Sequence, residues 1–154
     1  MITRQTGNFG KKPHNYFEGI LQLRNPTQDM VDWVKEQIAK DKRAWIAKEE
    51  EVTNGIDLYL SSQHYLRALG KVLKQKFVGE LKVTATLHTI SKSTGKELYR
   101  VTVLFRFLGV KIGDLVTVSG EQFKLLRVDN QVQLKNVATG KKVWKKIEVL
   151  RRPA

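Results

Sequence analysis

Basic residues surround one tryptophan near the end of this 154-residue chain. The residues around Trp144 that share this positive character are Lys141, Lys142, Lys145, Lys146, Arg151 and Arg152. Lysine and arginine bind the phosphates of nucleic acids, and an exposed aromatic ring gives an unpaired base a surface on which to stack. A second interpretation is that Trp144 fills a hydrophobic core while the lysines keep its edge solvated. The sequence leaves both interpretations open.

Two further basic groups accompany a predicted helix and a predicted hairpin. The helix carries Arg67, Lys71, Lys74 and Lys76, and the hairpin tip is flanked by Lys92 and Lys96. Contacts of such residues with phosphates provide affinity rather than sequence preference. Neither the aromatic signature of RRM domains nor the GxxG loop of KH domains is present, so the pattern favours structured RNA that is recognised by its shape.

The formal net charge of +13 and the isoelectric point near 10.0 support a polyanionic partner. A protein with this excess gathers nucleic acid by releasing its counterions. An anionic membrane is a competing partner, but the apolar face of the basic helix is needed for a core, so we expect no membrane association. A basic protein that is merely soluble remains an alternative, because the lysines are dispersed.

Residues able to perform catalysis do not converge in this sequence. It has no cysteine, and His14, His64 and His88 are too scattered for spaced metal ligands. Nucleotide-binding, zinc-protease and serine-hydrolase motifs are absent. The consecutive carboxylates of Glu49–Glu51 would point to alternating faces of a strand rather than form an acid–base pair. We therefore expect no enzymatic activity, no cofactor and no metal.

The first part of the chain predicts an α+β sandwich of the order β-α-β-β-α-β-β. The predicted strands and helices, from apolar periodicity, cover 16–23, 26–40, 44–52, 56–60, 62–77, 81–88 and 99–107. Asn25 is the predicted cap of the first helix, with Pro26 at its first position, and Gly19 is predicted to mark a bulge. This order favours two helices on one face of a mainly antiparallel sheet.

After Phe107, short apolar runs alternate with glycine-containing turns. Strands are predicted near 115–118, 122–127, 131–136, 141–145 and 147–150. Short strands bury little unless they close, so a small barrel of the SH3 or OB type is favoured. The chain therefore divides into a flexible leader (1–15), an α+β domain (16–107) and a barrel (108–154), of which the barrel has the higher positive charge per residue.

Segments in the α+β part resemble a known protein family. They read YFEGILQLRN, AWIAKEEEVTNGIDLYLSS, LGKVLKQKFVGELK and TGKELYRVTVLFR, and the resemblance extends in the family's order over about residues 14–150. The stretches GIDLYLSS and YRVTVLFR are its most specific parts. The chain resembles the Nmd-three family of archaea and eukaryotes, whose members are adaptors in the maturation and export of the large ribosomal subunit.

The resemblance implies a domain similar to the eukaryotic type of ribosomal protein L-twenty-two, followed by an SH3-like barrel similar to the first domain of translation factor five-A. It further implies an adaptor of archaeal type. A cytoplasmic location is expected because the sequence has no run of 18 or more apolar residues and no charged-then-apolar leader. Such an adaptor binds ribosomal RNA on the intersubunit side of the large subunit, near the tRNA sites and the L1 stalk. The L1-stalk protein or another assembly factor is a further expected partner, and we expect a monomer. The alternative is a protein-interaction module that docks a ribosomal protein or assembly factor through its open sheet.

The sequence departs from the family pattern in several ways. Members normally begin with paired-cysteine zinc modules, so a chain without cysteine is expected to be either a fragment or a natural short form. The long eukaryotic tail with its transport signals has no counterpart, so nuclear export is not implied. The barrel also lacks the lysine-bearing loop of the translation factor, so hypusine modification is not implied either.

Overall fold

The computed structural model describes residues 13–90 and 94–151, so Lys92, Arg152 and most of the expected leader lie outside the described residues. Its elements are β1 (Gly19–Arg24), α1 (Gln28–Lys40), β2 (Ile46–Val52), β3 (Gly55–Leu60), α2 (Gln63–Lys76), β4 (Gly79–Ile90), β5 (Glu97–Phe107), β6 (Leu115–Val118), β7 (Glu121–Val128), β8 (Gln131–Asn136), β9 (Lys142–Lys146) and a 3-10 helix (Ile147–Leu150).

The first sheet has five strands in the order β2-β3-β1-β5-β4. β1 lies at its centre, antiparallel to β3 and parallel to β5, and the other neighbouring pairs are antiparallel. Both helices join this sheet in a single hydrophobic core. The predicted α+β class and the β-α-β-β-α-β-β order are confirmed.

Alternation along the strands explains which face the helices cover. Leu21 and Leu23 of β1 and Val103 and Phe105 of β5 are fully buried, whereas the residues between them are half-exposed. The remaining core side chains include Met30, Val34 and Ile38 of α1 and Leu66, Leu69 and Leu73 of α2. One face of the sheet is therefore packed against α1 and α2, and the other is left open.

The start of α1 differs from the prediction. Thr27, not Asn25, caps the helix, and its Oγ1 accepts a hydrogen bond from the backbone N–H of Met30 at 3.1 Å. Asn25 instead adopts a positive φ of 54° and donates its side-chain amide to the carbonyl oxygen of Phe107 at 3.0 Å. Asparagine tolerates this left-handed conformation, so the residue turns the chain rather than capping the helix.

Gly19 marks a close approach and not the predicted bulge. The residue pairs in register with Leu60 on one side and Val101 on the other. A Cβ atom at position 19 would lie 2.5 Å from Cδ2 of Leu66 and 2.6 Å from the carbonyl oxygen of Val101. Only glycine lets α2 pack this closely on the centre of the sheet.

The second sheet is an antiparallel meander of four strands, in the order β9-β8-β7-β6. Its separate core contains Leu108, Phe123, Leu125, Val132, Leu134, Ile147 and Leu150. The prediction of a small all-β part is confirmed, but the fifth predicted strand, over 147–150, is wrong. Those residues form the 3-10 helix, in which the three-residue spacing of Ile147 and Leu150 places both side chains in the core.

In the described parts of the chain, no helix is long and apolar enough to cross a membrane. A search of the same residues finds no group of three histidine, aspartate or glutamate side chains placed to hold a metal ion.

Candidate nucleic-acid interface

The outer face of the second sheet carries a row of three lysines. Strand register places Lys124 of β7 opposite Lys135 of β8, and Lys135 opposite Lys142 of β9. Neighbouring strands lie about 4.8 Å apart, so the row spans about 10 Å of the surface. All three residues are exposed.

The alternation of buried and exposed residues builds this row. Lys124 lies between the buried Phe123 and Leu125, and Lys135 lies between the buried Leu134 and Asn136. Because successive side chains of a strand point to opposite faces, the apolar neighbours fix the lysines on the outer face. The hydrophobic core of the all-β part therefore determines the face of the sheet on which the lysine side chains lie.

A second row, beside the lysines, ends in the exposed ring of Trp144. Register places Arg127 opposite Gln133, and Gln133 opposite Trp144. The guanidinium carbon of Arg127 lies 6.0 Å from the centroid of the Trp144 ring, and 48% of Trp144 is exposed. Of the two interpretations that the sequence left open, the structure supports a surface tryptophan and not a core tryptophan.

We call this surface the basic sheet face. Its residues are Lys124, Arg127, Gln133, Lys135, Lys142, Trp144 and Lys146. Like charges directly opposite each other on a sheet destabilise it. Among the described residues, no carboxylate forms an ion pair with any lysine of the three-lysine row. The repulsion within the row would be relieved by an anion bound outside the sheet.

The turn after β8 positions the first lysines of the predicted cluster. Buried Asn136 accepts hydrogen bonds at Oδ1 from the N–H groups of Ala138 and Thr139, at 2.9 and 3.0 Å. Its own N–H donates to the carbonyl oxygen of Lys141 at 2.8 Å, and Gly140 turns the chain with a φ of 75°. These bonds hold Lys141 at the end of the turn that leads directly into β9.

The structure separates the other predicted residues of this cluster. Lys145 pairs with the buried Val132, so it lies on the opposite side of β9 from Trp144, although its side chain is exposed. Arg151 lies beyond the 3-10 helix and contacts the first sheet. Lys142, Trp144 and Lys146 are thus the members that share the basic sheet face.

Arg151 ties the all-β part to the first sheet. Its Nε donates to Oε2 of Glu80 at 2.7 Å and its Nη2 donates to Oε1 at 2.6 Å. Arg106 approaches the same carboxylate at 3.7 Å, and the N–H of Leu108 donates to the carbonyl oxygen of Val78 at 3.2 Å. The hydrogen bonds to Glu80 are the largest cause that raises the pKa of Arg151 above its ordinary value. Arg151 is therefore a charged brace between the two sheets.

Replacing Glu80 by glutamine tests this brace. Because a half-exposed bidentate pair contributes about 1 kcal/mol, we expect local opening, and trypsin cleavage at Lys111, to rise about fivefold. A Glu36→Gln variant, which removes an exposed pair with Lys40, should leave the cleavage rate unchanged. If Arg151 instead serves mainly as a phosphate ligand, Glu80→Gln frees its guanidinium, and affinity for RNA rises while the cleavage rate stays constant.

The predicted basic surface of α2 is divided between its two flanks. Gly70 packs over β5 and β4, since a Cβ there would lie 3.0 Å from Cγ1 of Val103 and 3.4 Å from Cδ1 of Leu81. Lys76 lies on the flank towards α1, where its Nζ is 5.3 Å from the ring centroid of Trp33. By helical spacing, the β4 flank carries Arg67, Lys71 and Lys74. Lys96 is exposed in the connection between β4 and β5, immediately before β5 begins.

Sequence reasoning missed four members of the basic sheet face: Lys124, Arg127, Gln133 and Lys135. The signal was present for Lys124, Gln133 and Lys135, which occupy outward positions of the predicted strands over 122–127 and 131–136, whereas Arg127 reaches the same face only through a register shift after Leu125. Pairing the strands across the Asp129-Asn130 turn would have placed Lys124 beside Lys135. The clustering of lysines along the chain drew attention instead to 141–146, which supplies only the last strand of the surface.

Comparison with known families adds an independent finding. A family model described as NMD3, second domain, matches residues 16–107. The chain belongs to the NMD3 family. The match spans the whole first sheet and its helices, and it agrees with the family that the sequence segments indicated.

Membership of the NMD3 family suggests a role in ribosome biogenesis and, in general terms, association with a ribosomal subunit. No curated protein matches the chain. The NMD3 match ends at residue 107, before the basic sheet face begins, so the chemistry of that face rests on the structure alone.

Proposed function

We propose that this chain is a non-enzymatic adaptor that binds the ribosomal RNA of the large subunit during its maturation. One observation carries the proposal: three lysines, which form no ion pair with a carboxylate of the described residues, lie in a row beside an exposed tryptophan on one face of a sheet. Family membership supplies the ribosomal context.

The two rows of the basic sheet face would contact different parts of the RNA. Lys124, Lys135 and Lys142 form a line of cations suited to the phosphates of one backbone. Trp144 offers an open ring on which an unpaired base stacks, with the Arg127 guanidinium beside it. The face presents one neutral amide, Gln133, between these two side chains, so we expect recognition of RNA shape with little sequence preference.

The finer expectations from the family resemblance belong to the same proposal. They are binding on the intersubunit side near the tRNA sites and the L1 stalk, a cytoplasmic location, and a division into domains at 16–107 and 108–154. The match of the family model to 16–107 and the existence of two separate cores support this division. The predicted RNA contacts that are not part of the basic sheet face are Arg67, Lys71, Lys74, Lys76, Lys92, Lys96, Lys141, Lys145, Arg151 and Arg152.

Replacing Trp144 by alanine tests the stacking half of the proposal. Loss of one base stacked on an aromatic ring costs about 1–3 kcal/mol, so affinity for isolated large subunits should fall about tenfold or more. The slope of log affinity against log salt should not change, because no charge is removed. The readout is co-sedimentation with large subunits over a series of salt concentrations.

Small subunits and ribonuclease-treated large subunits are the controls in the Trp144→Ala experiment. Weaker binding of the unchanged chain to both supports the proposal. If binding survives ribonuclease treatment, or the alanine variant binds as tightly as the unchanged chain, the basic sheet face does not hold ribosomal RNA.

A further inference from the structure

Strand β4 forms an unprotected edge of the first sheet. It stands last in the strand order, and no described element pairs with its outer side. Every residue from Lys82 to Ile90 is exposed, and the apolar side chains of Val83 and Leu87 are 43% and 53% exposed. A long, exposed, partly apolar edge is a template for another strand.

The opposite edge of the same sheet shows how this chain protects an edge. Strand β2 carries Lys48 and Glu49–Glu51 in succession, and ion pairs join Glu49 to Lys35 and Glu50 to Lys48. Charged residues on both sides of an edge strand disfavour pairing with another chain.

The eight residues from Val83 to Ile90, VTATLHTI, contain no lysine, arginine or carboxylate, although 28% of the chain is charged. A β-prone segment with low charge and no proline associates readily when its edge is free. The charge on β2 and its absence from this part of β4 favour a partner strand on β4 in the functional complex.

The neighbouring helix flank indicates the chemistry of that partner. Val83 is opposite the core residue Val103, and Leu87 is opposite Tyr99, two positions from the core residue Val101. Alternation therefore places Val83 and Leu87 on the same side of the sheet as the helices. The β4 flank of α2 carries Arg67, Lys71 and Lys74, and none of these three forms an ion pair with a described carboxylate. A partner strand on β4 would therefore meet an apolar strip bordered by three cations.

We propose that the free edge of β4 binds an extended acidic segment of another protein, which adds as a sixth strand. Its apolar side chains cover Val83 and Leu87, and its carboxylates face Arg67, Lys71 and Lys74. The ladder between β4 and β5 is regular up to Leu87 and shifts register before Thr89, so the partner strand pairs mainly with the stretch ending at Leu87.

Charge argues for this occupant over a second copy of the chain. Two copies paired along β4 would bring together two molecules of net charge +13, each with its own α2 cations beside the apolar strip. An acidic strand neutralises the same cations. The surface is separate from the basic sheet face, so it can be tested independently of RNA binding.

The test uses the full chain and a synthetic peptide that alternates valine and threonine and carries two glutamates at each end. We expect binding in titration calorimetry. Hydrogen exchange should be at least tenfold slower at the backbone amides between 83 and 87 that point away from β5. A control peptide in which one central valine is replaced by proline should not bind, because proline interrupts strand pairing.

The Leu87→Glu variant should bind the peptide about tenfold more weakly, since it places a charge in the apolar strip and repels the acidic partner. The matched control is Ala39→Glu, which adds the same charge at an exposed residue of α1, outside β4, its helix flank and the basic sheet face, and for which we expect less than a twofold change. Both variants should retain the large-subunit affinity of the unchanged chain, so failure here leaves the RNA proposal standing.

Three results would overturn the inference: equal binding of the proline peptide, equal loss in Leu87→Glu and Ala39→Glu, or no added protection in β4. A concentration-dependent dimer in analytical ultracentrifugation that Leu87→Glu abolishes would also overturn it, because the occupant of the edge would then be a second copy.

Discussion

Replacing Lys124, Lys135 and Lys142 together by glutamine should weaken binding to large subunits about 30-fold and, at the same time, stabilise the free protein slightly. Three exposed phosphate contacts contribute about 2 kcal/mol in total, which corresponds to that loss of affinity. The magnitude of the salt slope should fall by about two to three. Stability should rise by about 0.5 kcal/mol, because the repulsion across the three strands disappears. Co-sedimentation at several salt concentrations and thermal unfolding measure the two effects.

The matched control for the triple glutamine variant replaces Arg67, Lys71 and Lys74 on the β4 flank of α2. Both variants lower the formal net charge from +13 to +10, so a general loss of positive field would weaken RNA binding equally in both. We expect less than a fivefold loss in the helix variant. Equal losses, or a lysine-row variant that loses stability together with affinity, would contradict a specific RNA-binding function of the row.

The Gly19→Ala substitution should destabilise the first sheet by about 3 kcal/mol. The new methyl group would lie 2.6 Å from the carbonyl oxygen of Val101, and this backbone atom cannot move without disturbing the central pair β1–β5. Overpacking at such sites costs about 1–3 kcal/mol and occasionally more. For a chain of this length, the midpoint of thermal unfolding should fall by about 10 °C, as measured by calorimetry.

Gly70→Ala is the matched control for Gly19→Ala. There a Cβ atom would meet only side-chain atoms, with the nearest, Cγ1 of Val103, at 3.0 Å. Helix propensity favours alanine over glycine by about 1 kcal/mol, which offsets the crowding. We expect stability within about 1 kcal/mol of the unchanged chain. Similar losses at both positions would show that the contact of Gly19 with Val101 is not the cause.

Most of the fold was predictable because its signals are local. Val101, Val103 and Phe105 recur at every second position, and the stripe through Leu66, Leu69 and Leu73 has helical spacing. The prediction of a strand over 147–150 was wrong, because four residues are too few to distinguish strand alternation from the three-residue spacing of a 3-10 helix. The prediction of a bulge at Gly19 was wrong, because glycine is required there by a contact with α2, more than forty residues away in sequence.

The candidate site was only partly predictable, because it depends on which strands pair. Lys142 and Trp144 were predicted because they belong to a cluster of basic residues along the sequence. Lys124 and Lys135 join them only through the register of β7, β8 and β9. Arg151 belongs to the same basic cluster in sequence, yet it pairs with Glu80, 71 residues earlier. Such long-range partners are set by the packing of the two sheets and leave no periodic signal.

Site-specific crosslinking tests the central claim most directly. A photoreactive phenylalanine analogue at Gln133, between Arg127 and Trp144 on the basic sheet face, is irradiated with isolated large subunits, and the crosslinked molecules are identified. The same analogue at Asp32, exposed on α1, is the control. The proposal predicts crosslinks from position 133 to ribosomal RNA that are lost at high salt. It predicts fewer crosslinks to ribosomal RNA from position 32. Crosslinks from position 133 to ribosomal proteins alone, or equal RNA crosslinking from both positions, would contradict it.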